Sequence, residues 1–187
     1  MEVLLTSTAL VALAEIGDKT MLLAIVLATR FRRPLPIIAG IFFATIANHA
    51  LAAWAGSLVA EFFAGQTFRL IVAASFIVMG LWTLVPDKFD DDDAPAVTAR
   101  GAFLTTLVAF FIVEMGDKTQ LATVALGAQY HDVALVAAGT TLGMMIANVP
   151  AALLGNALVR RVSLKAVRIA AAALFVAVGA WMLVEAL

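Results

Sequence analysis

The sequence predicts an all-α integral membrane protein whose six transmembrane helices form two inverted three-helix repeats. Three observations carry this. The chain is 64% hydrophobic and 13% charged, with a mean hydropathy of +1.04, whereas a water-facing domain carries roughly 25% charged residues. Six apolar runs reach the length of about 20 residues that a spanning helix needs. The two halves of the chain also repeat one another at an offset of 99 residues.

The first run is Val3–Thr29, closed by Arg30, Arg32, Arg33 and Pro34. It follows neither a cationic leader nor a small-residue cleavage site, so it is expected to stay in place as a helix. The second run is Leu35–Ala60. The third, Phe68–Val85, stops at Pro86. Asp87, Lys88 and the four aspartates Asp90 to Asp93, with Pro95 behind them, make a polar linker over 87–100. It separates a first repeat (1–86) from a second (101–187). The fourth run is Gly101–Ala128, the fifth is Val133–Val159 with Pro150 expected to kink it, and the sixth is Leu164–Ala186.

The repeat rests on landmarks that apolar sequence does not produce by chance. Glu15 aligns with Glu114, Gly17 with Gly116, Asp18 with Asp117, Gly40 with Gly139 and Gly56 with Gly155. Arg69 aligns with Arg168, Phe76 with Phe175, Gly80 with Gly179 and Trp82 with Trp181. Asn48 matches Asn148 at an offset of 100, one residue more. Three spans per repeat is an odd number, so the second repeat enters the membrane from the opposite side, as in secondary transporters. Nine Lys and Arg residues (Arg30, Arg32, Arg33, Lys88, Arg100, Arg160, Arg161, Lys165 and Arg168) fall in the first, third and fifth connections, and Arg69 alone falls on the other side. The positive-inside rule makes those three connections cytoplasmic, the aspartate run included, and puts both termini outside.

Composition also excludes. Without cysteine there is no disulfide, thiolate metal site or redox pair. A formal net charge of −1 and the lack of a basic patch leave no nucleic-acid partner. No HExxH, GxSxG or Walker-type loop occurs, so neither an intramembrane metalloprotease nor an ATP-driven pump is supported, and no catalytic residue or prosthetic group is expected. The expected partners are the lipid bilayer and a cation; a homo-oligomer stays open.

The chemistry sits in two hexapeptides, Glu15-Ile16-Gly17-Asp18-Lys19-Thr20 and Glu114-Met115-Gly116-Asp117-Lys118-Thr119. Each places two acids and a lysine in the middle of an apolar run. A charge at the bilayer centre costs roughly 2.5–3.5 kcal/mol, and six would cost roughly 15–20 kcal/mol, so these groups must be paired, hydrated or metal-bound. In an unbroken helix Glu15 and Asp18 share a face, as do Glu114 and Asp117, and Lys19 and Lys118 stand four residues after each glutamate as local salt-bridge partners. Each motif sums to −1, and the two together match one divalent cation. Four carboxylates with neutral oxygens from Thr20, Thr119, Gln120, Asn48 and Asn148 make a hard site suited to Ca²⁺, Mg²⁺ or Mn²⁺. The counterpart of Gln120 is Met21, whose thioether suits Mn²⁺ better than Ca²⁺ if it binds at all; packing is the other role open to it. Gly17 and Gly116 either break the helix toward an ion or let helices pack closely. Asn48 and Asn148 serve as ligands or as hydrogen-bonding glue between helices. His49, replaced by Val149 in the second repeat, reads as an interior histidine or a proton relay. Lys19 and Lys118 are candidates for charge compensation when the metal leaves.

Two copies of Glu-x-Gly-Asp-Lys-Thr, each opening a three-helix repeat with an acidic loop between, resemble the Gdt-one family. This comprises the Golgi manganese/calcium transporters of eukaryotes and the manganese exporters of bacteria. The resemblance covers nearly the whole chain. It implies a secondary transporter that moves Mn²⁺ or Ca²⁺ out of the cytosol in exchange for protons. It implies binding roles for Glu15, Asp18, Glu114 and Asp117, and also for Thr20, Thr119 and Gln120. The short chain is similar to the bacterial branch, which implies manganese homeostasis at the inner (plasma) membrane.

Overall fold

The computed structural model describes residues 1–63, 65–86, 101–155 and 163–187. The described residues form eight helices and no strand. They are α1 (Glu2–Glu15), α2 (Lys19–Phe31), α3 (Pro34–Phe62), α4 (Gln66–Thr83), α5 (Gly101–Glu114), α6 (Lys118–Tyr130), α7 (Val133–Leu154) and α8 (Leu164–Ala186). Four of them, α3, α4, α7 and α8, are long and apolar enough to cross a membrane singly.

The other two expected spans differ from the reading of the sequence. Val3–Thr29 is not one helix but α1 followed by α2, and Gly101–Ala128 is α5 followed by α6. The interruptions fall inside the hexapeptides. Gly17 has φ +93° and Gly116 has φ +82°, a region open to glycine and strained for other residues, so the i→i−4 ladder cannot run through. Asp18 and Asp117 follow in the same extended conformation (φ −80°, ψ 167°) and stand at the N-cap positions of α2 and α6. Halves of 14 and 13 helical residues rise only about 20 Å each, short of the roughly 30 Å hydrocarbon core. The fifth run ends earlier than expected, at Leu154, before Gly155 with φ +57°, and Pro150 lies inside α7. The acidic linker 87–100 and the basic pair Arg160 and Arg161 lie outside the described residues.

The short connections are closed by local chemistry. Arg32 and His131 adopt the left-handed conformation at the ends of α2 and α6, and their amides return to Ala28 and Gly127 carbonyls. Pro34 then opens α3, where a missing amide proton costs nothing. Asp132 opens α7 by accepting from the Leu135 amide at 2.9 Å.

Packing centres on α3 and α7. α3 lies against α5, α6 and α7; α7 lies against α1, α2 and α3; α4 pairs with α8. Small residues allow backbones to touch, the usual device where lipid removes the hydrophobic drive between helices. A methyl group on Gly40 would lie 2.8 Å from the Phe103 carbonyl and from Thr106 Cβ; one on Gly139 would lie 2.8 Å from the Leu4 carbonyl and from Ser7 Cβ. These are equivalent contacts in the two halves. Further along, Gly56 meets the Val124 carbonyl so closely that a methyl would fall 1.9 Å from it. Gly80 against Ala172 and Gly179 against Ala73 repeat the exchange between α4 and α8, and the buried rings of Phe76 and Phe175 sit 6.2 Å apart between them. Outward-facing Ile71, Val78 and Leu81 of α4 and Ile169 and Val184 of α8 are exposed, which suits a lipid environment.

Candidate metal centre

Both breaks aim their acids inward. Glu15 closes α1 and Glu114 closes α5; these residues are 0% and 1% exposed, and Asp18 and Asp117 are 3% and 4% exposed. One carboxylate oxygen from each of Glu15, Glu114 and Asp117 lies within 4.8 Å of the others. Two motifs 99 residues apart thus supply one cluster. Glu15 Oε1, Glu114 Oε2 and Asp117 Oδ2 are buried and meet no hydrogen-bond donor among the described residues. Such oxygens are costly unless something else satisfies them.

The motif threonines hold the glutamates. Thr20 Oγ1 donates to Glu15 Oε2, and Thr119 Oγ1 donates to Glu114 Oε1, each across its own break. Asp18 stands outside the trio, with Oδ1 accepting from the Lys19 amide at 2.8 Å. The expected sharing of a helix face by Glu15 and Asp18, and by Glu114 and Asp117, does not occur, because the helix ends between them.

The lysines do not follow the i, i+4 scheme drawn from an unbroken helix. Lys19 Nζ lies 3.3 Å from Asp117 Oδ1, bridging the first motif to the second. Lys118 Nζ lies 5.8 Å from the Trp82 ring centroid, within cation–π range.

Asn148 Nδ2 reaches toward Glu15 Oε2 at 3.4 Å and also donates to the Met144 carbonyl at 3.1 Å, while its Oδ1 is buried without a donor among the described residues. Asn48 Oδ1 is taken up by Gln120 Nε2, and Asn48 Nδ2 donates to the Phe111 carbonyl at 3.3 Å. Gln120 turns its own oxygen to the amide freed at Gly116, at 2.6 Å. Met21 does the same with sulfur, its Sδ 3.4 Å from the Gly17 amide. His49, fully buried on α3, brings Nε2 within 3.6 Å of Glu114 Oε1.

Sequence reasoning did not foresee the Lys19–Asp117 bridge or the place of His49. It left the glycine breaks open although a signal was present: aspartate directly after glycine and before a helix-forming run is an N-cap signature.

Membrane-length apolar helices closed around buried carboxylates are the build of an ion-handling membrane protein. The chain belongs to the family described as "Divalent cation/proton antiporter GDT1", whose model matches residues 3–91 and 102–187. It is therefore a multi-pass membrane protein of a divalent-cation transporter family. A Vibrio cholerae protein named "Putative manganese exporter" is 49% identical over 176 residues, covering 94% of this chain and 87% of that protein. GDT1-like protein 5 of Arabidopsis thaliana is 27% identical over 92% of this chain and 91% of its own length. A GDT1-like protein of Synechocystis is 27% identical over 89% of each chain. No solved structure is a significant match.

Proposed function

We propose that this protein exports Mn²⁺ from the cytosol in exchange for protons, with Glu15, Glu114 and Asp117 as the core of the cation site. The observation that carries this reading is the convergence of three buried carboxylates, each with an oxygen that meets no donor among the described residues. When ionised the trio sums to −3, and Lys19 at Asp117 brings it to −2, the charge of one divalent cation. Protons neutralise the same oxygens, so metal and protons compete for one place. Asn148, whose Nδ2 reaches toward Glu15 and whose Oδ1 meets no donor among the described residues, is a candidate neutral ligand, and Thr20 and Thr119 fix the glutamates rather than compete for them. Asp18, Asn48 and Gln120 act in the surrounding shell, and Lys19 and Lys118 balance charge as the site fills and empties. A hard site with few neutral oxygens suits Mn²⁺ better than Ca²⁺, which takes 6–8 oxygen ligands. The name of the Vibrio cholerae relative points the same way.

The transport geometry follows from two inverted repeats, 1–86 and 101–187. Gly40 on Phe103 and Thr106 mirrors Gly139 on Leu4 and Ser7, and α4 and α8 exchange equivalent contacts at Gly80 and Gly179. α3 meets α5 and then α6 in the same running direction, from Gly40 at Phe103 to Gly56 at Val124. That pairing supports a second broken helix that crosses opposite to the first. Each broken pair then acts as one span with its gap at mid-membrane, where the site lies. The distribution of Lys and Arg supports cytoplasmic placement of the acidic linker and extracytoplasmic termini.

Purified protein in liposomes tests the reading. Mn²⁺ movement is expected to require, and to drive, an opposite proton flux reported by an entrapped pH dye. Mn²⁺ passage indifferent to a pH gradient would make the protein a channel, and no Mn²⁺ movement would refute the reading outright.

A further inference from the structure

We propose that a cavity at one rim of the bundle, with the apolar groove that opens from it, binds a phospholipid whose headgroup carries both a phosphate and a primary ammonium. The cavity measures about 420 Å³ and lies where α3, α6 and α8 end and α4 begins. Its wall is charged with both signs: Arg69 and Glu185 line it, with Gln129 and His131 beside them. Gln66 Nε2 donates to the Ala186 carbonyl at 2.9 Å and ties the start of α4 to the end of α8 at this rim. The groove measures about 510 Å³ and runs along α4, with α3 and α6 as its other wall, from Phe68 to Trp82. Its lining is almost wholly apolar. Phe68, Val72 and Ala128 line both spaces, so the charged cavity and the apolar groove meet at a shared neck.

This is the shape and polarity of a single phospholipid: a charged end at the rim and a dry channel leading from it. Between Phe68 and Trp82 α4 rises about 21 Å, more than the roughly 15 Å that one leaflet contributes to the hydrocarbon core, so an acyl chain fits along it. The two charges choose the headgroup. The planar fork of Arg69 recognises a phosphate. Glu185 disfavours a headgroup that is only anionic and accepts from an ammonium. Ethanolamine provides N–H donors, and choline, with a quaternary nitrogen, provides none.

Native mass spectrometry of the full-length protein in detergent, with phosphatidylethanolamine, phosphatidylglycerol or phosphatidylcholine added in turn, tests the proposal. One phosphatidylethanolamine per chain is expected, retained roughly tenfold over the other two, the scale of one charge-assisted hydrogen bond. Arg69→Gln is expected to drop retention to background, and Glu185→Gln to leave phosphatidylethanolamine no better than phosphatidylglycerol. Ile71→Trp fills the groove from its exposed side and is expected to lower retention with both headgroup residues intact. Equal retention of the three lipids by the wild type overturns the proposal. So does unchanged retention in Arg69→Gln or Ile71→Trp, undiminished discrimination in Glu185→Gln, or a dimer of this chain that buries the groove.

Discussion

Around Glu15 and around Glu114 the chain breaks its helix by the same means: a glycine with positive φ, an extended aspartate, and a threonine that reaches back to the glutamate. The residues that finish the two breaks differ. At the first, sulfur of Met21 meets the freed glycine amide, Asn148 keeps an oxygen open beside Glu15, and Leu164 covers Gly17. At the second, Gln120 meets the amide and closes off Asn48, His49 stands at Glu114, and none of the described residues lies within 4 Å of where a Gly116 methyl would project. The two breaks are built alike, but their surroundings differ, and the second brings two acids to the cluster where the first brings one. Under the exchange proposed above, two unequal carboxylate arms would share one ion, and the difference between them would set which arm releases it first.

The sharpest break of the comparison is among the acids themselves. Removing a ligand should cost more than the 10–100-fold typical of a supporting residue. Glu114→Gln is expected to weaken Mn²⁺ binding by about 100-fold or more, read as free Mn²⁺ by electron paramagnetic resonance. The aspartates are expected to part company. Asp117→Asn should approach the loss in Glu114→Gln, because Asp117 belongs to the cluster, whereas Asp18→Asn should lose clearly less, because Asp18 caps α2 outside it. Equal losses would mean that both aspartates coordinate the ion.

A smaller effect separates the two glycines. Alanine at either position must adopt a positive φ, at about 1–3 kcal/mol. Gly17→Ala also brings its methyl to 3.0 Å from Leu164 Cδ2, whereas the methyl of Gly116→Ala meets none of the described residues within 4 Å. Both variants are expected to lower the thermal unfolding midpoint in detergent, Gly17→Ala by more. If both were neutral, helical continuity through the motif would be accessible and the break would not be intrinsic to the chain.

How much of this was legible beforehand depended on the range of the interaction. Membrane class is carried by composition, and the two hexapeptides that hold Glu15, Asp18, Glu114 and Asp117 can be read directly from the sequence. The helix breaks were only half legible, since a glycine in an apolar run serves close packing as well as it serves a break; Gly40 and Gly139 do the first and Gly17 and Gly116 the second. Partner choice was not legible. Lys19 looks like a partner for Glu15 in an unbroken helix. Once Gly17 turns the chain, its ammonium swings to Asp117, a residue 98 positions away. Asn48 and Asn148 repeat in sequence but not in bonding, because Gln120 reaches one of them and its counterpart Met21 offers no donor to the other.

That last pair gives the finest test of the comparison. Met21 and Gln120 occupy equivalent places and meet equivalent amides, at 3.4 Å through sulfur and at 2.6 Å through oxygen. Thioether sulfur is a weak acceptor, so the amide oxygen holds its glycine more firmly. Gln120→Met removes that bond and also frees Asn48 Oδ1, which makes the second half-site resemble the first. A neutral hydrogen bond contributes about 0.5–1.5 kcal/mol, so the change in Mn²⁺ affinity should stay within about tenfold. Met21→Gln should hold Gly17 more tightly and turn a donor toward Asn148 Oδ1, which meets no donor among the described residues. The two single variants are therefore expected to shift affinity in opposite directions, Gln120→Met upward and Met21→Gln downward. The double exchange should return close to the wild type with the roles of the halves reversed. Shifts of the same sign would show that residues 21 and 120 act through the backbone breaks alone and that the asparagine oxygens do not contribute to the site.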